Sequence, residues 1–278
     1  MSKAKLWTKD FLIVSTINFF VTLIFYLLIV TISTYAVEKF QASTSEAGLV
    51  TGIFVIGALI GRLFSGRIID QLGRKKILIV GMALFTLTTL LYFGAVTLPF
   101  LVINRLLHGI ALGIASTATG TIVAQIIPSQ RRGDGIGYYS LSAIIATAIG
   151  PFFGLFLSEH TSFQMIFIFC LILGGLGLVT SFFLKVPSIA VVEKEKGKKK
   201  VFKISDYIEY KALPISLVTL FVGFAYSGVL SFINFYAQDL KLIEAASFFF
   251  IVYAIVVLFS RPITGRLFDR KGANFVIY

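Results

Sequence analysis

Residues 66–76 read GRIIDQLGRKK: four cations, one aspartate and two glycines set between two long apolar runs. A shorter echo, GRLFDRKG, occupies Gly265–Gly272. At an offset of 199 residues, Arg62, Gly66, Arg67, Asp70 and Gly73 are matched by Arg261, Gly265, Arg266, Asp269 and Gly272. Both copies follow the second apolar run of a series and precede the third. Five identities at equivalent places argue for two related halves, and parallel repeats flanking a cleft are a transporter architecture.

The rest of the chain says what those halves are made of. Of 278 residues, 57% are hydrophobic and 14% charged, whereas soluble domains carry roughly 25% charged residues. Several apolar runs reach the roughly 20 residues that a helix needs to cross a bilayer. A membrane strand would need only about 10 and would alternate polar with apolar. The expectation is all-α: a polytopic membrane helix bundle with eight spans near 11–37, 46–66, 77–97, 99–127, 135–158, 163–184, 212–237 and 243–264. The stretch VEKEKGKKKVFK lies in a connection too charged to bury, which divides the chain into a six-helix bundle (1–184), a charged linker (185–211) and the start of a second bundle (212–278).

The net charge of +12 does not mark a nucleic-acid binder, because the cations sit in short loops between spans and not on one basic face. Twenty Lys and Arg fall on the side of the N-terminus, against Lys39 and Lys241 on the other. That bias predicts a multi-pass protein of the cell membrane with its N-terminus cytoplasmic. The first apolar run is too long for a cleaved signal peptide and reads as a retained helix. Cys170 stands alone, so no intrachain disulfide or cysteine-rich metal site is expected. His108 and His160 lack the spacing of a helical zinc pair, and no glycine-rich nucleotide loop appears. Neither an enzyme nor a cofactor is predicted.

The repeated stretch has a physical logic of its own. Gly66 would permit close helix packing and Gly73 a turn that a side chain would obstruct. Asp70 can accept hydrogen bonds from Arg74 or from the N-terminus of a facing helix. Making and breaking such contacts would bias one conformation over another. The simpler alternative is topology alone, with the cations holding the loop inside.

Gly66, Asp70, Gly73, Arg74 and Lys75 resemble the signature of the major facilitator superfamily, Gly-x-x-x-Asp-Arg-x-Gly-Arg-Arg/Lys. Gln71 stands where the family often has Arg; the second copy restores Arg270 but has Ala273 where the first has Arg74. The resemblance implies a conformational gate at Gly66, Asp70, Gly73 and Arg74, and at Gly265, Asp269 and Gly272 in the echo. It also implies that part of the aspartate's contact set comes from a late helix of the second half. Arg105, Gly109 and Gly113 are similar to the family's fourth-helix motif, whose arginine is tied to proton transfer; His108, one turn on, could join it. Otherwise Arg105 snorkels to the membrane surface and His108 bonds a neighbour. Ala146, Gly150, Pro151 and Gly154 partly match the fifth-helix antiporter motif, or form a small-residue packing seam with a bend. On the first helix Asn18, Thr22 and Tyr26 lie four apart on one side and, with Asn234, are candidates for a substrate cavity or for interhelical hydrogen bonds. No carboxylate sits convincingly at mid-membrane, whereas antiporters of the family often carry one; the resemblance then implies a proton carrier at Glu38 or Glu46 at the outer mouth, at His108, or at a residue of a further segment.

By this resemblance the chain is a secondary transporter of the drug-exporter-like branch, moving small molecules against protons through a lipid bilayer by alternating access. A facilitator or proton symporter is the alternative, as is a non-transporting protein that needs a partner. Asn274–Tyr278 reads as the start of a ninth helix, so a further C-terminal segment or a partner chain is expected.

Overall fold

The computed structural model describes residues 5–187, 210–225, 240 and 243–277, and among these there is no strand. α1 (Lys9–Phe40) starts where the Thr8 hydroxyl accepts from the Phe11 amide, and stops at Gln41 in the left-handed region. α2 (Thr44–Leu72) opens on a capping box, with Ser43 and Glu46 satisfying each other's backbone amides. α3 (Arg74–Leu90) tightens into a 3-10 turn over Leu91–Gly94. α4 (Leu98–Ile126) is capped by Thr97 and carries a proline in its first turn, where the missing N–H costs nothing. α5 (Arg132–His160) and α6 (Phe163–Phe182) follow. α7 (Tyr210–Ala225) is a shorter apolar helix; α8 (Ile243–Lys271) and α9 (Ala273–Ile277) complete the described chain.

Among the described residues six helices, α1 to α6, are long and apolar enough to cross a membrane. The expected seventh span is described only as far as Ala225, and its remainder, with Asn234, lies outside the described residues. The GRIIDQLGRKK stretch is less of a loop than its polarity suggested. α2 runs on through Asp70 to Leu72 and α3 begins at Arg74, so the break is the single residue Gly73. Leaving the hydrocarbon does not end a helix; backbone hydrogen bonds continue until a residue cannot hold helical angles. Gly73 has φ +91° and its echo Gly272 has φ +84°, a region that side chains disfavour.

The chain forms two compact units. One comprises Met1–Val191 with Leu258–Tyr278, the other Val192–Val257. In the first, α2 packs along α4 and α1 along α5, while α3 lies against α4 and α6, and α1 also touches α4 and α6. This pattern is unchanged when α1, α2 and α3 are exchanged for α4, α5 and α6, which reveals a nested three-helix repeat. The two equivalent seams are built alike. Gly57 and Gly61 of α2 face Gly109 and Gly113 of α4, and Gly150 and Gly154 of α5 press on the α1 backbone near Leu23 and Leu27. Between apolar helices in lipid, such small-residue contacts supply the packing that the hydrophobic effect supplies in water.

Candidate functional site

The α2–α4 seam brings a charged group into the bundle. Arg105 is fully buried. Its Nε donates to the Val50 carbonyl at 3.2 Å, and its Nη1 donates to the Tyr92 hydroxyl at 3.2 Å. The guanidinium also lies 4.2 Å from the Phe54 ring centroid, a cation–π contact. Nη2 has no hydrogen-bond partner among the described residues. Arg105 therefore does not snorkel, and no carboxylate among the described residues contacts it.

His108 completes the cluster. Its Nδ1 is 2.8 Å from the Tyr92 hydroxyl and its Nε2 is 3.3 Å from Thr89 Oγ1. Thr89 spends its own proton on the Phe85 carbonyl at 2.7 Å, so toward His108 it accepts. Nε2 then carries the ring proton and Nδ1 accepts from Tyr92. The result is one directed chain, from Arg105 to Tyr92 to His108 to Thr89 to the Phe85 carbonyl, with every hydroxyl used as donor and acceptor.

The repeated stretch is placed in two different environments. The Asp70 side chain is 73% exposed and, among the described residues, pairs with Arg74 at 3.3 Å; Arg74 also donates to Gln125 Oε1 at 2.8 Å. Asp269 instead accepts from the amides of Gly133 at 2.7 Å and Asp134 at 2.9 Å, which are the first turn of α5. A carboxylate there meets unpaired N–H groups and the positive end of the helix dipole. Gly265 makes the approach possible, since a Cβ on it would fall 2.6 Å from the Gly133 carbonyl oxygen. Gly66 does not repeat this. A Cβ on it would meet nothing within 4 Å, so no close helix packing is seen at Gly66 among the described residues. Gly73 likewise has open space around it, and its requirement is the positive φ and not crowding.

On α5, Ala146 is fully buried, and Cβ atoms on Gly150 and Gly154 would lie 2.7 Å from Tyr26 Cβ and 2.8 Å from the Leu27 carbonyl oxygen. Pro151 sits within a continuous helix. Asn18 is buried and donates to Ser142 Oγ of α5 at 2.9 Å, so its amide serves the α1–α5 contact. Thr22 and Tyr26 are half-buried on the same helix.

Three participants were not anticipated. Tyr92 joins Arg105 to His108, yet in the sequence it looks like an aromatic at a membrane boundary. Asp134, buried within QRRGDG, pairs with Arg131 and lies 3.8 Å from Arg266 Nε. Gln125 bridges Arg74 to the Pro187 carbonyl at 2.8 Å. The available signal was antiparallel register: Tyr92 and Arg105 flank the same short connection.

Comparison with known proteins agrees with this architecture. The family model for the Major Facilitator Superfamily matches residues 14–278. An uncharacterised MFS-type transporter of Methanocaldococcus jannaschii is 26% identical over 86% of this chain and 64% of its own length. Multidrug resistance protein 2 of Bacillus subtilis is 27% identical over 97% of this chain and 69% of its own length. Among solved structures, the xylose transporter XylE from E. coli, partially occluded and inward open, superposes with a TM-score of 0.56 at 18% identity. The match covers 64% of this chain and 49% of that one, and it is a likeness of fold. The chain thus spans about two thirds or less of these relatives' lengths.

Proposed function

The chain belongs to the Major Facilitator Superfamily, and from that premise we propose that it is a proton-coupled exporter of small molecules. It is a multi-pass membrane protein, and members of its family move small-molecule substrates. The export reading rests on likeness to a multidrug resistance protein and on the partial fifth-helix motif. In this reading the N-terminus is cytoplasmic, with the Asp70 and Asp269 ends of their helices on the same side, and a segment or partner beyond the described helices completes the cavity. Thr22 and Tyr26, half-buried on α1, contribute to that cavity, while Asn18 braces α1 against α5 through Ser142.

The observation that carries the coupling is the buried Arg105–Tyr92–His108 chain. A charged side chain in a span costs about 3 kcal/mol or more, and here no described carboxylate offsets it. His108 accepts at Nδ1 from Tyr92, so a proton can arrive at Nδ1 only if the Tyr92 hydroxyl turns its own proton away. That turn disturbs the bond from Arg105 and with it the contact between α3 and α4. Proton occupancy and helix arrangement are then one equilibrium, which a substrate binding one arrangement better would shift. Asp70 and Asp269, with their glycines, gate the other end.

The test is proton movement in sealed proteoliposomes, read with a trapped pH dye, on addition of lipophilic cations or small polar metabolites. Substrate-dependent proton movement is expected from the wild type and its loss from Arg105→Ala, with insertion unchanged. Wild-type flux in Arg105→Ala would overturn the coupling assignment.

A further inference from the structure

At the end of the bundle that carries Asp70, the chain leaves α6 and crosses the ends of three other helices. The Phe182 carbonyl accepts from Lys75 Nζ of α3 at 2.9 Å. The Lys185 amide donates to Asp10 Oδ1, in the first turn of α1, at 2.7 Å. The Pro187 carbonyl accepts from Gln125 Nε2 of α4 at 2.8 Å. Leu184 is fully buried and Val186 packs against the core. Lys9 adds its ammonium 5.8 Å from the Phe183 ring centroid. Water would satisfy the backbone of an ordinary surface connection. This one is instead pinned at three points by side chains from three different helices.

One of those side chains faces two ways. Gln125 has an acceptor and a donor group and uses both. Its Oε1 accepts from Arg74 Nη1 at 2.8 Å while its Nε2 serves Pro187. Arg74 Nη2 in turn pairs with Asp70 at 3.3 Å. A guanidinium offers only donors, so Arg74 fixes which end of the amide faces it. The other end, the donor, is thereby aimed at the Pro187 carbonyl. Turned over, the amide would set donor against donor on one side and carbonyl against carbonyl on the other. Asp70, Arg74, Gln125 and Pro187 thus form one directed run of contacts, from the end of α2 to the segment that leads out of the first six helices.

We propose that Gln125 is a positioning residue that ties the segment Phe182–Pro187 to the Asp70–Arg74 pair. The segment is held while Arg74 orients the amide, and it loosens when Arg74 withdraws. The state of the repeated stretch is then felt where the charged connection begins. The weight of this tie in transport rests on the reading of Asp70 and Arg74 as a gate; the tie itself stands on the contacts alone.

The experiment is hydrogen–deuterium exchange on the 278-residue chain in nanodiscs, followed by mass spectrometry with fragmentation that resolves the Lys185 amide. Asp10→Ala removes the acceptor of that amide and is expected to speed its exchange about tenfold. Gln125→Glu keeps an acceptor for Arg74 but cannot donate to Pro187, and about fivefold is expected. Arg74→Met leaves Gln125 and Pro187 in place and removes only what aims the amide; a rise of about threefold is expected. Lys76→Met removes an exposed cation two residues on and should change nothing. Wild-type exchange at Ala111 and Ala115, buried within α4, will show that each variant is folded. Gln125→Glu and Arg74→Met break the run at different links, so either decides the matter if the other fails that check. Wild-type exchange at Lys185 in either folded variant, or an equal rise in Lys76→Met, would overturn the proposal. Because exchange is read without substrate or gradient, a silent flux assay would reject the exporter and leave the tie standing.

Discussion

Replacing Gly109 by alanine tests whether the α2–α4 seam is what holds Arg105 in place. A Cβ there would fall 2.0 Å from the Phe54 carbonyl oxygen, where ordinary contacts begin near 3.4 Å. The shortfall of about 1.4 Å must be taken up by main chain, because the obstructing atom is a carbonyl and not the tip of a side chain. Nor can the seam yield locally, since Cβ atoms added to Gly57, Gly61 and Gly113 would likewise fall 2.2, 2.2 and 2.3 Å from facing carbonyl oxygens. Overpacking costs about 1–3 kcal/mol, and this clash belongs at the upper end. Alanine returns about 1 kcal/mol in helix propensity. The net loss is therefore about 2 kcal/mol, or roughly 4–8 °C in Tm at 2–4 °C per kcal/mol. Gly66→Ala has open space and only the propensity gain, so its Tm should hold or rise by up to about 4 °C. The assay is built in. Cys170 is the only cysteine and is fully buried, so a thiol-reactive fluorogenic dye reports unfolding during a thermal ramp. Because the Val50 carbonyl that binds Arg105 lies on the displaced helix, substrate-driven proton flux should fall with Tm in Gly109→Ala only. A Tm for Gly109→Ala at or above wild type, or an equal fall in Gly66→Ala, would refute the reasoning.

Asp269→Asn removes a charge from two amide bonds at the start of α5 and should cost about 1–2 kcal/mol. Asp70→Asn breaks only an exposed ion pair worth about 0–1 kcal/mol, and the two Tm values from the same dye assay should rank accordingly. Gly73→Ala and Gly272→Ala force a side chain into φ +91° and +84° and should each lose about 1–3 kcal/mol, read in the same ramp, despite the open space around both. Tyr92→Phe keeps the ring and removes the hydroxyl between Arg105 and His108. Losing one hydrogen bond to a charge should reduce proton flux about tenfold and change its pH profile, a readout that a merely structural role would leave unmoved.

What the sequence disclosed and what it withheld divide along a physical line. Apolar runs report transfer into lipid, so α1 to α6 were legible to within a few residues. Their ends were not, because helices persist past the membrane surface for as long as the backbone permits, as α2 does from Gly66 to Leu72. Arg105 was legible as a charge in an apolar run, a costly arrangement that demands a reason. Tyr92 was not, since tyrosine near a helix end is ordinary in any membrane protein; only the fold shows its hydroxyl turned inward. Asn18, Thr22 and Tyr26 were legible as one stripe, yet Asn18 spends its amide on Ser142. Spacing identifies a shared face but cannot say whether that face meets a cavity or another helix.

The two copies of the repeated stretch show why the proposed gate works only at a particular strength. Asp70 and Asp269 share a preceding Gly-Arg pair and a glycine three residues on, yet one is paired with Arg74 near water and the other is seated on the start of α5. A contact that biases two arrangements must exceed thermal energy, or it selects neither. It must also be cheap to break, or it locks one of them. Two charge-assisted bonds at a helix N-terminus contribute about 1–2 kcal/mol in total, a bias of roughly five- to thirtyfold. The broken state is cheap as well, because an aspartate at the membrane surface is rehydrated at once, as the exposure of Asp70 illustrates. A buried ion pair at the same place would cost about 3–5 kcal/mol to break and would hold the bundle shut. In the proposed gate, the short side chain, the glycine that lets it approach and the glycine that ends its helix act as one device, and its weakness is what would allow it to cycle.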